Sequence, residues 1–195
     1  GTFVAPDSIA HWAATFPRTL FIVDEAYLTF TASAPSVLPV RPPNMLVLRS
    51  MTKAYALAGL RLGYAVGSPD ILEALWRARP PWSVNALAQA AGIAALQDTA
   101  HLTHCLACIA QARHDFVAGL SALGLTPVPS TTHFFLARVG NGVGCRQALL
   151  QRGMLVRDCA SFGLPEYIRV ATRRPEENAR LLTALEELRP WCGSC

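Results

Sequence analysis

The chain has 195 residues, 52% hydrophobic and 15% charged, a balance that excludes a disordered tail or a solvated linker and permits a sizeable core. No apolar run reaches the roughly 18 residues of a membrane span, and no basic start followed by an apolar stretch marks a secretory signal. The net charge of +4 is mild and scattered, which argues against a nucleic-acid partner.

In chain order, a short helix is predicted through Ile9, Trp12, Ala13 and Phe16, capped by Asp7 or Ser8 and stopped by Pro17. Leu20-Phe21-Ile22-Val23 is a continuous apolar run of strand length ending in Asp24-Glu25, the look of a buried parallel strand. After a Pro/Ser-rich loop, Met45–Leu48 is a second such strand and Tyr64–Val66 a third. Helices follow over about Ile71–Arg79, Val84–Gln97 and Thr99–Leu123. Strand Phe134–Val139, helix Cys145–Arg152, strands Met154–Arg157 and Tyr167–Ala171, and helix Pro175–Leu188 complete the chain. Strands alternating with helices indicate an α/β first part and an α+β last part.

Two motifs are weaker than they look. Gly140-Asn141-Gly142-Val143-Gly144-Cys145 has its third glycine misplaced for a dinucleotide loop and reads as a surface turn. Cys105-x-x-Cys108 and Cys192-x-x-Cys195 are too far apart in sequence for a zinc ribbon. His101, His104, Cys105 and Cys108 follow the stripe of one helical face, where buried thiols are ordinary core residues. No metal is expected, and reduced thiols suit the cytoplasm.

The seventeen basic residues include a single lysine, Lys53. Pyridoxal phosphate requires such an amine for its Schiff base, a carboxylate to keep its ring nitrogen protonated, a partner for its ring hydroxyl, and hydroxyls and an arginine for its phosphate. Asp24, Tyr27, Lys53, Ser50, Thr52 and Arg61 offer this set in order, with carboxylate and lysine at the C-terminal ends of consecutive strands, where α/β sheets bind ligands. Singly, each has a plainer reading as a turn residue, core aromatic or surface cation.

Phe21–Phe30, reading FIVDEAYLTF, and Asn44–Tyr64, reading NMLVLRSMTKAYALAGLRLGY, closely resemble the class I/II aminotransferases. The branch resembled most contains histidinol-phosphate aminotransferase and threonine-phosphate decarboxylase. Arg79–Asn85, Gly153–Arg157, Tyr167–Val170 and Pro175–Asn178 extend the resemblance to about Arg189. It implies an aspartate-aminotransferase-like α/β fold: residues 1–97 as the C-terminal part of a large, mainly parallel-sheet cofactor domain, 98–123 as a bridging helix, 124–189 as a small α+β domain, and 190–195 as a tail.

The resemblance further implies that Lys53 is the Schiff-base lysine and proton shuttle, that Asp24 pairs with the pyridine nitrogen and Tyr27 with the ring hydroxyl. Ser50, Thr52 and Arg61 would hold the cofactor phosphate, and Arg157 and Arg169 the substrate anions. The competing reading of those two arginines is a salt bridge with Asp158 or Glu166. His133 stands where the family usually has Asn, and Gly1-Thr2 resembles the end of the family's Asn-Pro-x-x-Pro-Thr-Gly stretch. The expected activity is transamination between small amino and keto-acid substrates in a homodimer, with threonine-phosphate decarboxylation and a non-catalytic remnant as alternatives.

Overall fold

In the computed structural model the structure describes residues 2–31 and 34–188; Cys192 and Cys195 lie outside them. The chain divides into two compact units, Thr2–Thr103 and a second from His104 onward.

The first unit begins with α1 (Pro6–Thr15). Its cap is Ala5, not Asp7 or Ser8, because Pro6 takes the first helical position, where its missing N–H is not needed. Strands β1 (Phe21–Asp24), β2 (Met45–Ser50) and β3 (Gly63–Gly67) form one sheet in the order β1-β2-β3. β1 and β2 are parallel, with Asp24 opposite Leu48. β2 and β3 are antiparallel, with Ser50 opposite Gly63. The sheet of this unit is therefore mixed, because residues 51–62 turn back through the short helix α2 (Met51–Ala54), and Met51 N–H closes the turn on Leu62 C=O at 3.1 Å.

The pleat decides which side chains of this sheet are buried. Met45 and Val47, both fully buried, pack with Ala13 and Val37, and the half-buried Phe21 and Val23 join them from β1. Burying each aliphatic chain of this kind stabilises by about 1.5–3 kcal/mol. The alternate residues Ile22 (60% exposed) and Asp24 face solvent, so β1 is covered on one face only and not on both as its apolar run suggests. Helices α3 (Pro69–Ala78), α4 (Ala86–Gln97) and the start of α5 (Thr99–Ala122) follow. Asn85 caps α4 by accepting from Ala88 N–H at 2.8 Å.

In the second unit β4 (Phe134–Arg138), β5 (Arg157–Asp158) and β6 (Tyr167–Ala171) form an antiparallel sheet ordered β4-β6-β5. Phe116 and Leu120 of α5, Leu149 of α6 (Gly142–Gln151) and Leu185 of α7 (Pro175–Glu187) share a core with Phe135, Ile168 and Val170. The glycine-bearing turn holds no dinucleotide loop: Asn141 caps α6 by accepting from Gly144 N–H at 2.9 Å, and the helix starts at Gly142. Among the described residues no helix is long and apolar enough to cross a membrane.

Candidate active site

Lys53 sits in the single turn of α2, directly beyond β2. Ser50 caps that turn, accepting from Thr52 N–H at 3.3 Å, and its Oγ lies 2.7 Å from Thr52 Oγ1. Lys53 Nζ donates to Ser50 Oγ at 3.4 Å and to Thr52 Oγ1 at 3.5 Å, and stands 5.0 Å from the Tyr27 ring centroid. Both bonds are long, so the amine is steered by the hydroxyls without being locked to them. Tyr27, 38% exposed, leans on Phe30 with ring centroids 6.4 Å apart.

Asp24 closes β1 on the exposed face. Its Oδ1 accepts from Ala26 N–H at 2.9 Å, a local turn that orients the carboxylate and leaves Oδ2 without a hydrogen bond among the described residues. Because Asp24 lies opposite Leu48, and Leu48 and Ser50 are two apart on β2, Asp24 and Ser50 share one face of the sheet. Arg61 adopts the left-handed conformation (φ 56°) and donates from Nη1 to Ala58 C=O at 2.9 Å. The Met51–Leu62 bond brings its backbone alongside α2, while its guanidinium folds back on its own turn.

Thus one unit brings together an amine, a carboxylate, a phenol and two hydroxyls, with a guanidinium on the adjoining turn. This donor set fits pyridoxal phosphate: acceptor-only phosphate oxygens match hydroxyl and guanidinium donors, and a carboxylate with one uncommitted oxygen matches a protonated ring nitrogen.

In the second unit, Arg157 and Arg169 are direct partners across the antiparallel pair β5–β6. Like charges placed opposite one another destabilise a sheet. The salt bridges offered as their competing reading do not form: Asp158 pairs with Arg146 at 3.7 Å and Glu166 with Arg138 at 2.6 Å. Arg157 donates instead to Ser161 Oγ at 3.0 Å, with its guanidinium 5.4 Å from the Phe162 ring centroid, and Arg169 lies 5.5 Å from that of Phe134. Among the described residues neither guanidinium has a carboxylate partner, which suits an anionic ligand. Nearby, burial pushes the Cys159 thiol up, against the opposing pull of Arg169. Burial also holds His133 below the ordinary imidazole value.

The helical stripe of thiols differs from expectation. Cys105 is half-buried and Cys108 exposed, with Cys108 Sγ 3.6 Å from His104 Nε2, while the buried thiols are Cys145 and Cys159. No group of three or more His, Cys, Asp or Glu is gathered for a metal among the described residues. Sequence reasoning did not single out a second polar cluster, Glu25, Ser36 and Arg49, on the opposite face of the same strand ends. The available signal was the doubled polar pair at each strand end, Asp24-Glu25 and Arg49-Ser50, since adjacent strand residues cannot serve the same face.

The family model for class I and II aminotransferases matches residues 2–185. Histidinol-phosphate aminotransferase 1 of Thiobacillus denitrificans is 43% identical over 193 residues, 96% of this chain and 50% of that protein. The structure of histidinol-phosphate aminotransferase from Sinorhizobium meliloti in complex with pyridoxal-5'-phosphate matches with a TM-score of 0.87 and 28% identity, covering 99% of this chain and 55% of that one. L-threonine-O-3-phosphate decarboxylase from Porphyromonas gingivalis matches with a TM-score of 0.83 and 30% identity, covering 96% and 60%. The chain spans about half the length of the curated relatives it matches. With its whole lysine-bearing segment, the first unit and most of the second inside the matched span, the chain belongs to the class I and II aminotransferase family.

Proposed function

We propose that this chain carries the lysine-bearing part of a pyridoxal-phosphate-dependent aminotransferase of the histidinol-phosphate aminotransferase type, acting on small amino and keto-acid substrates. The observation that carries the reading is the setting of the only lysine. Its amine stands between the Ser50 and Thr52 hydroxyls and the Tyr27 ring, at the end of a strand whose neighbour ends in Asp24. When bound, pyridoxal phosphate supplies an aldehyde for an amine and an electron-withdrawing ring that stabilises negative charge on a substrate carbon.

The chain's residues then have separate tasks. Lys53 Nζ would hold the cofactor through its aldehyde carbon and would serve as the base that takes the proton from the substrate α-carbon. Asp24 Oδ2 holds a proton on the ring nitrogen, its direction set by the Ala26 N–H bond. The Tyr27 hydroxyl meets the ring hydroxyl. Ser50, Thr52 and Arg61 take the phosphate, Arg61 with the guanidinium N–H groups that its bond to Ala58 C=O leaves over. Arg157 and Arg169 take substrate anions, whose charge relieves their mutual repulsion. The pose those anions adopt decides which α-carbon bond is weakened.

Two coarser assignments travel with this reading. The family resemblance implies a homodimer, and the exposed Trp76, Trp82, Leu87 and Ile93 support an apolar contact with another polypeptide surface. The reduced thiols of Cys108 and Cys159 support a reducing cytoplasmic setting.

Because Lys53 is the sole lysine, one experiment reads the proposal. Borohydride treatment of the pyridoxal-phosphate-loaded protein should leave a pyridoxyl mass on Lys53, and Lys53→Ala should abolish it together with the visible absorbance. A label on the N-terminal amine alone, or no label, would sink the assignment and favour a non-catalytic remnant. Decarboxylation is the second reading, favoured by the likeness to the P. gingivalis enzyme. Assaying threonine phosphate for carbon dioxide against keto acid separates the two, since both use the same residues.

A further inference from the structure

The ends of β1 and β2 each carry two consecutive polar residues, and the pleat sends them to opposite faces. Asp24 and Ser50 lie on the face described above. Glu25 and Arg49 lie on the other, beside the buried Val37 and Val47.

Glu25 is 6% exposed, yet its carboxylate is satisfied on both oxygens. Oε1 accepts from Val37 N–H at 2.8 Å and Ser36 Oγ at 3.1 Å. Oε2 lies 2.8 Å from Ser36 Oγ, 2.8 Å from Arg49 Nε and 2.7 Å from Arg49 Nη2. Arg49 Nη2 also donates to Ser36 Oγ at 3.0 Å, which accepts from Leu38 N–H at 3.1 Å. Three chain segments thus meet at one carboxylate: the residue after Asp24, the residue before Ser50, and the Ser36–Leu38 turn.

A buried ion pair seldom exceeds an apolar pair of the same volume in stability. What it adds is direction, since a guanidinium fork bonded to a carboxylate fixes distance and angle together. Pyridoxal phosphate needs that direction, because its aldehyde and ring nitrogen lie on opposite sides of one rigid ring. The amine serving the first and the carboxylate serving the second must keep a set spacing, within about 0.5 Å. Asp24 is one peptide from Glu25, and Lys53 hangs from the turn that Ser50 caps, one peptide beyond Arg49.

We propose that Glu25, Arg49 and Ser36 are positioning residues for the cofactor site, setting from the opposite face of the sheet the spacing between the Asp24 carboxylate and the Lys53 amine. The proposal rests on the pyridoxal phosphate reading above.

The test uses the whole chain loaded with pyridoxal phosphate, comparing wild type with Glu25→Gln, Arg49→Lys, Ser36→Ala and the core control Met45→Ala. Two signals are read: borohydride labelling of Lys53, and the pH midpoint at which the bound chromophore changes colour. Glu25→Gln and Arg49→Lys should move the midpoint by about half a unit or more and weaken cofactor binding about tenfold. Ser36→Ala, the gentlest change, should move both signals the same way by less. Met45→Ala lowers stability while keeping every donor and acceptor of the cluster in the chain, so its midpoint should stay at the wild-type value. Wild-type midpoints in the cluster variants, or an equal shift in Met45→Ala, would reduce the cluster to a structural ion pair. If Glu25→Gln and Arg49→Lys fail to fold, an unmoved midpoint in Ser36→Ala overturns the proposal. An unlabelled wild type overturns the cofactor reading itself, a result distinct from labelled protein with unmoved midpoints.

Discussion

His133 and Glu177 show how single groups tie folding to pH, with opposite causes. Burial holds the His133 imidazole below its ordinary value of 6.5, so on acidification the unfolded chain takes up this proton first. Stability from His133 is therefore full above about pH 6.5 and falls as pH drops from there toward the folded value. His133→Asn should flatten urea midpoints measured from pH 8 to 5; an unchanged slope would show that the buried ring is not their source. Glu177 is the reverse case: its hydrogen bond from Arg173 pulls it from 4.5 to about 2. Its contribution is present above about pH 4.5 and is lost as pH falls toward 2. Glu177→Gln should remove that acid limb and leave the window near 6.5 intact. At this scale the sequence was most informative where a residue type is rare. A lone lysine among seventeen cations points to itself, whereas Glu25 and Arg49 look like any charged residues until the pleat and the Ser36 turn bring them together.

Elements were legible as elements, less so in their direction and extent. β1, β2 and β6 lie where their apolar residues put them, because composition and alternation report burial. The antiparallel sense of β3 was not legible, since periodicity carries no sign and residues 51–62 are close to the dozen needed for a parallel crossover. β5 is shorter than the apolar Met154-Leu155-Val156 run predicts, for a specific reason. Met154 N–H is bonded to Leu149 C=O at 2.9 Å, with Gly153 at φ 73° just beyond α6, so Met154 closes the helix end instead of opening the strand, and the pairing with β6 covers Arg157 and Asp158. The close approach of β3 to β2 carries its own prediction. A Cβ on Gly63 would stand 2.8 Å from Arg49 C=O, a backbone atom that cannot swing aside. Gly63→Ala should cost about 1–3 kcal/mol by denaturant midpoint, and it should weaken pyridoxal phosphate binding because the strand it displaces bears Arg49 and Ser50. A neutral substitution would mean that β3 yields without disturbing β2.

At the scale of the whole molecule the two units differ in how much apolar surface each hides. Among the described residues the second unit's core joins fourteen buried side chains, led by Phe116 and Phe135 with ring centroids 5.6 Å apart, while the first unit's cluster joins four. The first unit also leaves Trp12, Phe16, Leu20 and Ile22 between 46% and 60% exposed, and its proposed site lies on the strand ends of that lightly buried sheet. Regions with few buried apolar contacts open at lower free energy than the rest of a protein. Backbone amides at Phe135, Ile168 and Leu149 should therefore exchange with solvent about a hundredfold more slowly than those of β1 and α2, and the chain should lose structure in two steps. Pyridoxal phosphate stabilises whatever conformation binds it, so adding it should slow exchange at Asp24 and Ser50–Lys53 while leaving Ile168 unchanged. Uniform protection across both units would show instead that they open together, and the lightly packed first unit would then owe its order to the second.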